Sequence, residues 1–433
     1  MSPTFHSLTQ YRDYRLFWSG MVVSNIGTWM QRVAQDWLVL VTLGGGPAAL
    51  GIATGLQFLP FLLVAPFGGL LADRFPKRRL LMFTNGFLGL VGLILGVLVV
   101  TDTAEVWHVY VLAFLLGTGT ALDHPARNTY VSELVDAGDL PNAVGLNSAS
   151  FNAARLVGPA AAGLLIAALG PGPVFLLNAL TFVAPIAMLM LIGKDVVDEP
   201  RPVARGERRL VDGIRYVRSR PDLLLVMAIM FFVGTFGMNF QMTTALMATS
   251  VFDKGPSEYG VLGSIMAIGA LTGSLLAARR GAPRRRVIVA IAMLFGLLEI
   301  LAGLTPAYWV FAVSLVPLGM AALTVVTTAN AYVQTTVDAD MRGRVMALYI
   351  MVFMGGTPFG APVIGWVADV LGARWSLLGG GILTIAGTLL VTLLLARRNG
   401  VVLRPGLRLR SSALVSGSAL RAARVGMTHG TKG

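Results

Sequence analysis

Twelve stretches of this chain are each apolar over roughly the 20 residues that a helix needs to cross the hydrocarbon core of a bilayer. That pattern restricts the fold to an all-α integral membrane bundle. The windows are 15–42, 48–72, 79–101, 106–126, 143–169, 173–193, 222–251, 258–279, 287–304, 307–331, 344–370 and 374–396. Composition agrees: 55% of the residues are hydrophobic and 13% charged, with a mean hydropathy of +0.73, far from an ordinary soluble domain.

The windows are not independent of one another. About 43 residues from Asn128 to Gly170 recur from Asn330 to Gly372 at a constant offset of 202 with no gap. Asn128, Tyr130, Val131, Val135, Asp136, Ala137, Leu146, Gly158, Gly163 and Gly170 each meet their own residue type in the second copy. Two copies of one membrane unit, with a binding site between them, is an arrangement typical of secondary transporters. Twelve transmembrane helices in two pseudo-symmetric six-helix bundles are therefore expected. The bundles are 1–193 and 222–396, joined by the linker 194–221, which carries an amphipathic piece around Leu210 to Val217. The basic tail 397–433 has no periodic core face and is expected to be disordered or in loose contact with anionic lipid.

Charge alternates along the connectors. Arg74, Lys77, Arg78 and Arg79 follow the second window, Arg127 the fourth, Lys194 to Arg220 the sixth, Arg279 to Arg286 the eighth, and Arg342 and Arg344 the tenth. The intervening connectors, such as Gly44 to Pro47 and Thr101 to Glu105, carry almost no Lys or Arg. The positive-inside bias then puts both termini in the cytoplasm. Residues 1–14 are polar and no cleavable signal follows, so the first hydrophobic helix is expected to be retained.

A formal net charge of +13 would suit nucleic acid, but the basic residues sit in short clusters between apolar segments, so no nucleic-acid partner is expected. The absence of cysteine excludes disulfides, thiolate metal sites and Cys nucleophiles. No phosphate-cradling glycine loop, Ser/His/Asp set or metal-ligand cluster stands out, so neither an enzyme nor a cofactor or metal site is expected.

After the second window comes GGLLADRFPKRRL, in which Gly69 lies four residues before Asp73, and Asp73, Arg74, Lys77 and Arg78 occupy one rim. A carboxylate there can receive an opposing helix N-terminus or an Arg and so latch a gate. The stretch resembles the loop signature of the major facilitator superfamily, with Pro76 where glycine is usual. Its counterpart GSLLAARRGAPRRR has Ala278 in the aspartate's place, so only the first half retains the full latch. RLVGPAAAGLL, with Gly158, Pro159 and Gly163, resembles the helix-bending motif that the superfamily associates with exporters. MRGRVMALYIMVFMGGTPFGAPVIGWVADVLG and the opening YRDYRLFWSGMVVSNIGTWMQRVAQDWLV are similar to the transmembrane secretion effector branch, which includes enterobactin-exporter-like and macrolide-efflux-like proteins. The resemblance covers about residues 8 to 396 and implies the major facilitator fold.

Charged residues inside the windows mark the candidate site. Asn25, Arg32 and Asp36 fall within about 20° of one line on a helix, a polar stripe expected to face a central cavity. Arg32 and Asp36 are candidates for proton coupling; a purely structural i,i+4 pair between them is the rival reading. Ser148, Asn152 and Arg155 share a face of the fifth window, where Arg155 could hold an anionic substrate group or neutralise Asp36. Gln57, Asn178, Asn239 and Gln241 are further cavity candidates, with bonding across helices as the alternative. Asp123, Arg127, Arg342 and Arg344 are assigned with Asp73 to the gate, the first two as a solvated or loop-anchoring ion pair near His124. Glu299 reads as structural or rim-exposed. The residues and the resemblance together predict a monomeric, proton-coupled plasma-membrane exporter of an amphipathic drug-like compound or siderophore, working by alternating access. An importer or facilitator of a small solute, or a non-transporting sensor or assembly partner, are the alternatives.

Overall fold

The structure, a computed structural model, describes residues 3–64, 75–192, 210–278 and 283–398. Gly69, Asp73 and Arg74, most of the linker and nearly all of the basic tail lie outside the described residues. Each of the twelve windows is largely helical over its described residues, and no strand occurs among the described residues. The helices are α1 (Arg12–Trp37), α2 (Gly46–Leu63), α3 (Lys77–Val100), α4 (Val106–Leu134), α5 (Leu140–Leu169), α6 (Pro171–Thr181) and α7 (Val183–Leu191) in the first half. The amphipathic α8 (Leu210–Ser219) precedes α9 (Pro221–Phe232), α10 (Phe240–Leu246), α11 (Pro256–Ala278), α12 (Arg285–Gly303), α13 (Tyr308–Thr336), α14 (Ala339–Met354), α15 (Thr357–Leu371) and α16 (Arg374–Arg398). The fourth and tenth windows extend further than their apolar cores suggested, because α4 and α13 continue as polar helix to Leu134 and Thr336.

Eleven helical stretches among the described residues are long and apolar enough to cross a membrane. The remaining window, α1, has the length but not the mean hydropathy, and its polar groups explain the shortfall. Ser24, Gln31, Gln35 and Asp36 are all buried against neighbouring helices, so the groups that lower its hydropathy are kept away from the apolar surface. Leu90, Leu164, Leu180, Val313 and Phe359 instead project outward, with Trp107, Trp309 and Trp366 toward the helix ends, as a bilayer solvent requires.

Met1–Leu393 form one compact unit. Within it, helix pairs repeat with the sequence: α2 packs on α4 and α11 on α13, α3 on α4 and α12 on α13. Two helix crossings join the halves, α2 with α15 and α5 with α11, and each is the other's counterpart under the repeat. Small details repeat too. Gly170 and Gly372 both stop their helix with positive φ, at 79° and 98°, and return an N–H to Ile166 and Ala368. Tyr11 donates its hydroxyl to Asp136 at 2.9 Å, and Tyr216 donates to the equivalent Asp338 at 2.9 Å. A second bond, from Tyr11 to Asp139, is the largest influence pushing that phenol up to about 12.

The two crossings meet near the end with few basic connectors, and they meet main chain to main chain. A Cβ added to Gly365 would lie 2.6 Å from the Pro47 carbonyl oxygen and 3.0 Å from Gly51 Cα. One added to Gly163 would lie 3.1 Å from Ser257 Cα and 3.2 Å from Gly260 Cα. At the basic end none of the polar contacts among the described residues joins the two halves. Lys77 pairs with Glu133, Arg78 donates to the Leu189 and Met190 carbonyls, Arg344 pairs with Asp212 at 3.6 Å, and Tyr332 donates to Asp222 at 3.1 Å.

Candidate functional site

The polar stripe of α1 lies at the centre of the first half, and its residues have three different kinds of partner. Asn25, nearest the basic end, accepts a bond from Arg127 at 3.1 Å. Gln31 and Gln35 hold neighbouring helices: Asn178 on α6 donates to Gln31, and Gln35 donates to Gln57 on α2 at 3.2 Å. Asn178 and Gln57 therefore act in bonds across helices, and Asn178 is wholly buried.

Asp36 sits just before a π-helical turn, Leu38–Thr42, and is 4% exposed. The i,i+4 pair with Arg32, the rival reading from sequence, is not formed within 4.0 Å. The hydroxyl of Tyr259 on α11 donates to Asp36 Oδ2 at 2.6 Å, and it lies 3.3 Å from the Gln241 carbonyl. This bond links the two halves beside the glycine contacts. The i,i+4 geometry on α1 lost to a donor from the other half, because a short phenol reaches the carboxylate without bending back along its own helix.

Arg32 and Arg155 instead share an aromatic ring. Their guanidiniums lie 4.9 Å and 5.6 Å from the centre of Trp29, which also meets Phe151 edge-on at 5.7 Å. Ser148 and Asn152 turn onto their own helix, donating to the Val144 and Ser148 carbonyls, so the predicted face contributes chiefly Arg155. Gly158 presses on Trp29, where an added Cβ would lie 2.5 Å from the Trp29 Cβ. The Pro159 bend seats α5 against α11, and Ser264 donates to the Leu156 carbonyl at 2.5 Å.

Other candidates separate from this centre. Asn239 donates to the Thr235 and Phe236 carbonyls, bracing the π-helical turn Val233–Gly237. Asp123 is 2% exposed, accepts from Thr84 at 2.8 Å and Asn85 at 3.2 Å, and pairs with Arg127 at 2.5 Å. A solvated or loop-anchoring ion pair was expected; the pair is formed, and the surrounding α3 hydroxyl and amide explain why it is tolerated buried. Glu299 was expected to be structural or rim-exposed, and its burial fits the first of these. It is 0% exposed rather than at a rim, fitting into space that Gly380 leaves on α16, with neither carboxyl oxygen hydrogen-bonded. Arg342 and Arg344 lie at the start of α14, Arg344 engaged with Asp212. Trp29 and Tyr259 were not singled out from sequence, since an aromatic residue within an apolar helix carries no distinguishing pattern.

Two helical halves meeting at paired crossings, with charged groups buried at mid-helix, define a secondary membrane carrier. The comparisons agree: residues 4–408 match the transmembrane secretion effector family, and the chain belongs to it. It is a membrane transporter, not an enzyme. It is 25% identical to the staphyloferrin A transporter of Staphylococcus aureus, over 83% of this chain and 90% of that protein. It is 24% identical to macrolide efflux protein A of Streptococcus pyogenes, over 86% and 95%. The crystal structure of the POT family transporter PepTSo has the same fold, with a TM-score of 0.71 at 12% identity, over 90% of this chain and 98% of that one.

Proposed function

We propose that the chain is a proton-coupled exporter of an amphipathic compound, held here with its basic end open. The observation that carries the reading is the asymmetry between its two ends. Glycine main chain of one half meets main chain of the other at one end, whereas among the described residues the polar contacts named at the basic end do not join the halves. The positive-inside bias makes the basic end cytoplasmic, with both termini there, α1 crossing as the twelfth span, and 1–193 and 222–396 as the two moving bodies. The site between Arg32, Arg155 and Trp29 then faces the cytoplasm of a cell whose plasma membrane holds the protein.

Asp36 supplies the coupling. When the outer contacts part, Tyr259 leaves Asp36, and the carboxylate meets the outside and takes a proton. Reclosure returns the phenol, which bonds an ionised carboxylate more strongly than a neutral acid and so competes with the proton for Asp36. The relatives named for staphyloferrin A and macrolides support a moderately large, amphipathic cargo. Such a two-half carrier needs no second copy. Everted vesicles loaded with a pH gradient test the reading with a panel of dyes, macrolides and siderophores. Substrate-dependent proton release is expected; uptake down the substrate's own gradient with no proton movement would overturn it.

A further inference from the structure

The two arginines at the centre differ from the structural arginines of the same protein. Arg78 donates to two main-chain carbonyls, Arg374 to those of Gly303 and Thr305 at 2.8 Å and 2.7 Å, and Arg220 to both carboxyl oxygens of Asp222. Arg32 and Arg155 have no ion-pair partner among the described residues, and Arg32 Nε is buried with no hydrogen bond. The nearby carboxylates are engaged elsewhere: Asp36 with Tyr259 and Asp123 with Arg127. What the arginines have is a shared ring, Trp29, which offers a face but no negative charge.

We propose that this centre is a binding site for an organic carboxylate with an apolar, aromatic-sized body, the carboxylate held by Arg32 and Arg155 and the body laid against Trp29 and Phe151. Two like charges sharing one ring, partly removed from water, are unfavourable until an anion joins them. A carboxylate matches the guanidinium's fork of donors, and the indole gives both forks an aromatic surface to rest near. Both side chains are half-buried, so a ligand reaches them without unfolding the site. Phe151, 46% exposed and edge-on to Trp29, adds apolar surface next to the ring. The proposal rests on the export reading for its physiological meaning, but its chemistry is a matter of binding alone.

The test is calorimetric titration of the full chain in lipid nanodiscs with 1-naphthylacetate and its neutral isostere 1-naphthylacetamide. The acid is expected to bind about tenfold more tightly than the amide, with the difference shrinking at high salt. Arg32→Gln and Arg155→Gln should each bring the ratio close to one while thermal unfolding confirms that they fold. Arg215→Gln, on the exposed face of α8, should leave the ratio unchanged. Equal binding of acid and amide, no binding of the acid, tighter binding of 1-naphthylmethylamine, or an unchanged ratio in folded arginine variants would each overturn the proposal. The same compounds in everted vesicles separate the two readings. Charge-selective binding with no movement of any compound defeats export alone; export with no preference for the anion defeats this inference alone.

Discussion

Replacing Gly365 by alanine should shift the carrier toward the state open at its sparsely charged end. The added methyl lies 2.6 Å from the Pro47 carbonyl oxygen, whereas ordinary contact begins near 3.4 Å, so the two backbones must separate by about 0.8 Å. No rotamer change offers relief, because the obstructing atoms are main chain. Overpacking of this kind costs about 1–3 kcal/mol. Only the state with that end closed bears the cost, so the population of the other state should rise by roughly 5- to 150-fold. Because the chain contains no cysteine, a spin-label pair can be placed on an otherwise unmodified protein. Labels at exposed Thr103 and Ala307 report across the two halves at that end. Double electron–electron resonance should show a longer-distance population growing in Gly365→Ala. Gly163→Ala, its repeat counterpart, should act in the same direction. An unchanged distance distribution in either folded variant, or growth of a shorter distance, would refute the steric argument.

The Asp36→Asn variant should lose uphill, pH-gradient-driven export while retaining substrate binding or passive exchange; full gradient-dependent export would remove Asp36 as the coupling group. Asp123→Ala removes the shared acceptor of Thr84 and Asn85 and strands Arg127, a loss of about 3–5 kcal/mol that should appear as a sharply lowered unfolding temperature in detergent. Glu299→Gln is isosteric and should express and fold normally, whereas Glu299→Lys puts an unpaired cation into the same closed space and should abolish membrane accumulation measured by immunoblot. Asp73→Asn should impair transport with little loss of insertion, and normal cycling would show that the latch motif has no such task.

The repeat made much of the architecture readable. Gly163 and Gly365 align in sequence and occupy the same position in the two crossings, and Gly170 and Gly372 end the same helix in each half. Local periodicity also placed Arg32 and Asp36 on a common stripe, but it could not supply their partners. Asp36 meets a tyrosine 223 positions away, and only the packing of α11 against the first half brings it there. Arg32 and Arg155 come together over Trp29 because Gly158 lets α5 approach α1, a steric fact without a charge pattern. For Glu299 the sequence left a structural and a rim position open, because the space that encloses it depends on a glycine in α16.

The main-chain contacts at Gly163 and Gly365 set the manner in which the halves can part. Side chains retract one rotamer at a time and let an interface loosen gradually. Carbonyl oxygens and Cα atoms on helices have no such freedom, so each crossing moves as its whole helix moves. Because the two crossings are repeat counterparts, the rotation that releases one is related to the rotation that releases the other. The expected traffic between states is thus abrupt and two-valued, with few partly open intermediates through which protons could leak past a bound cargo.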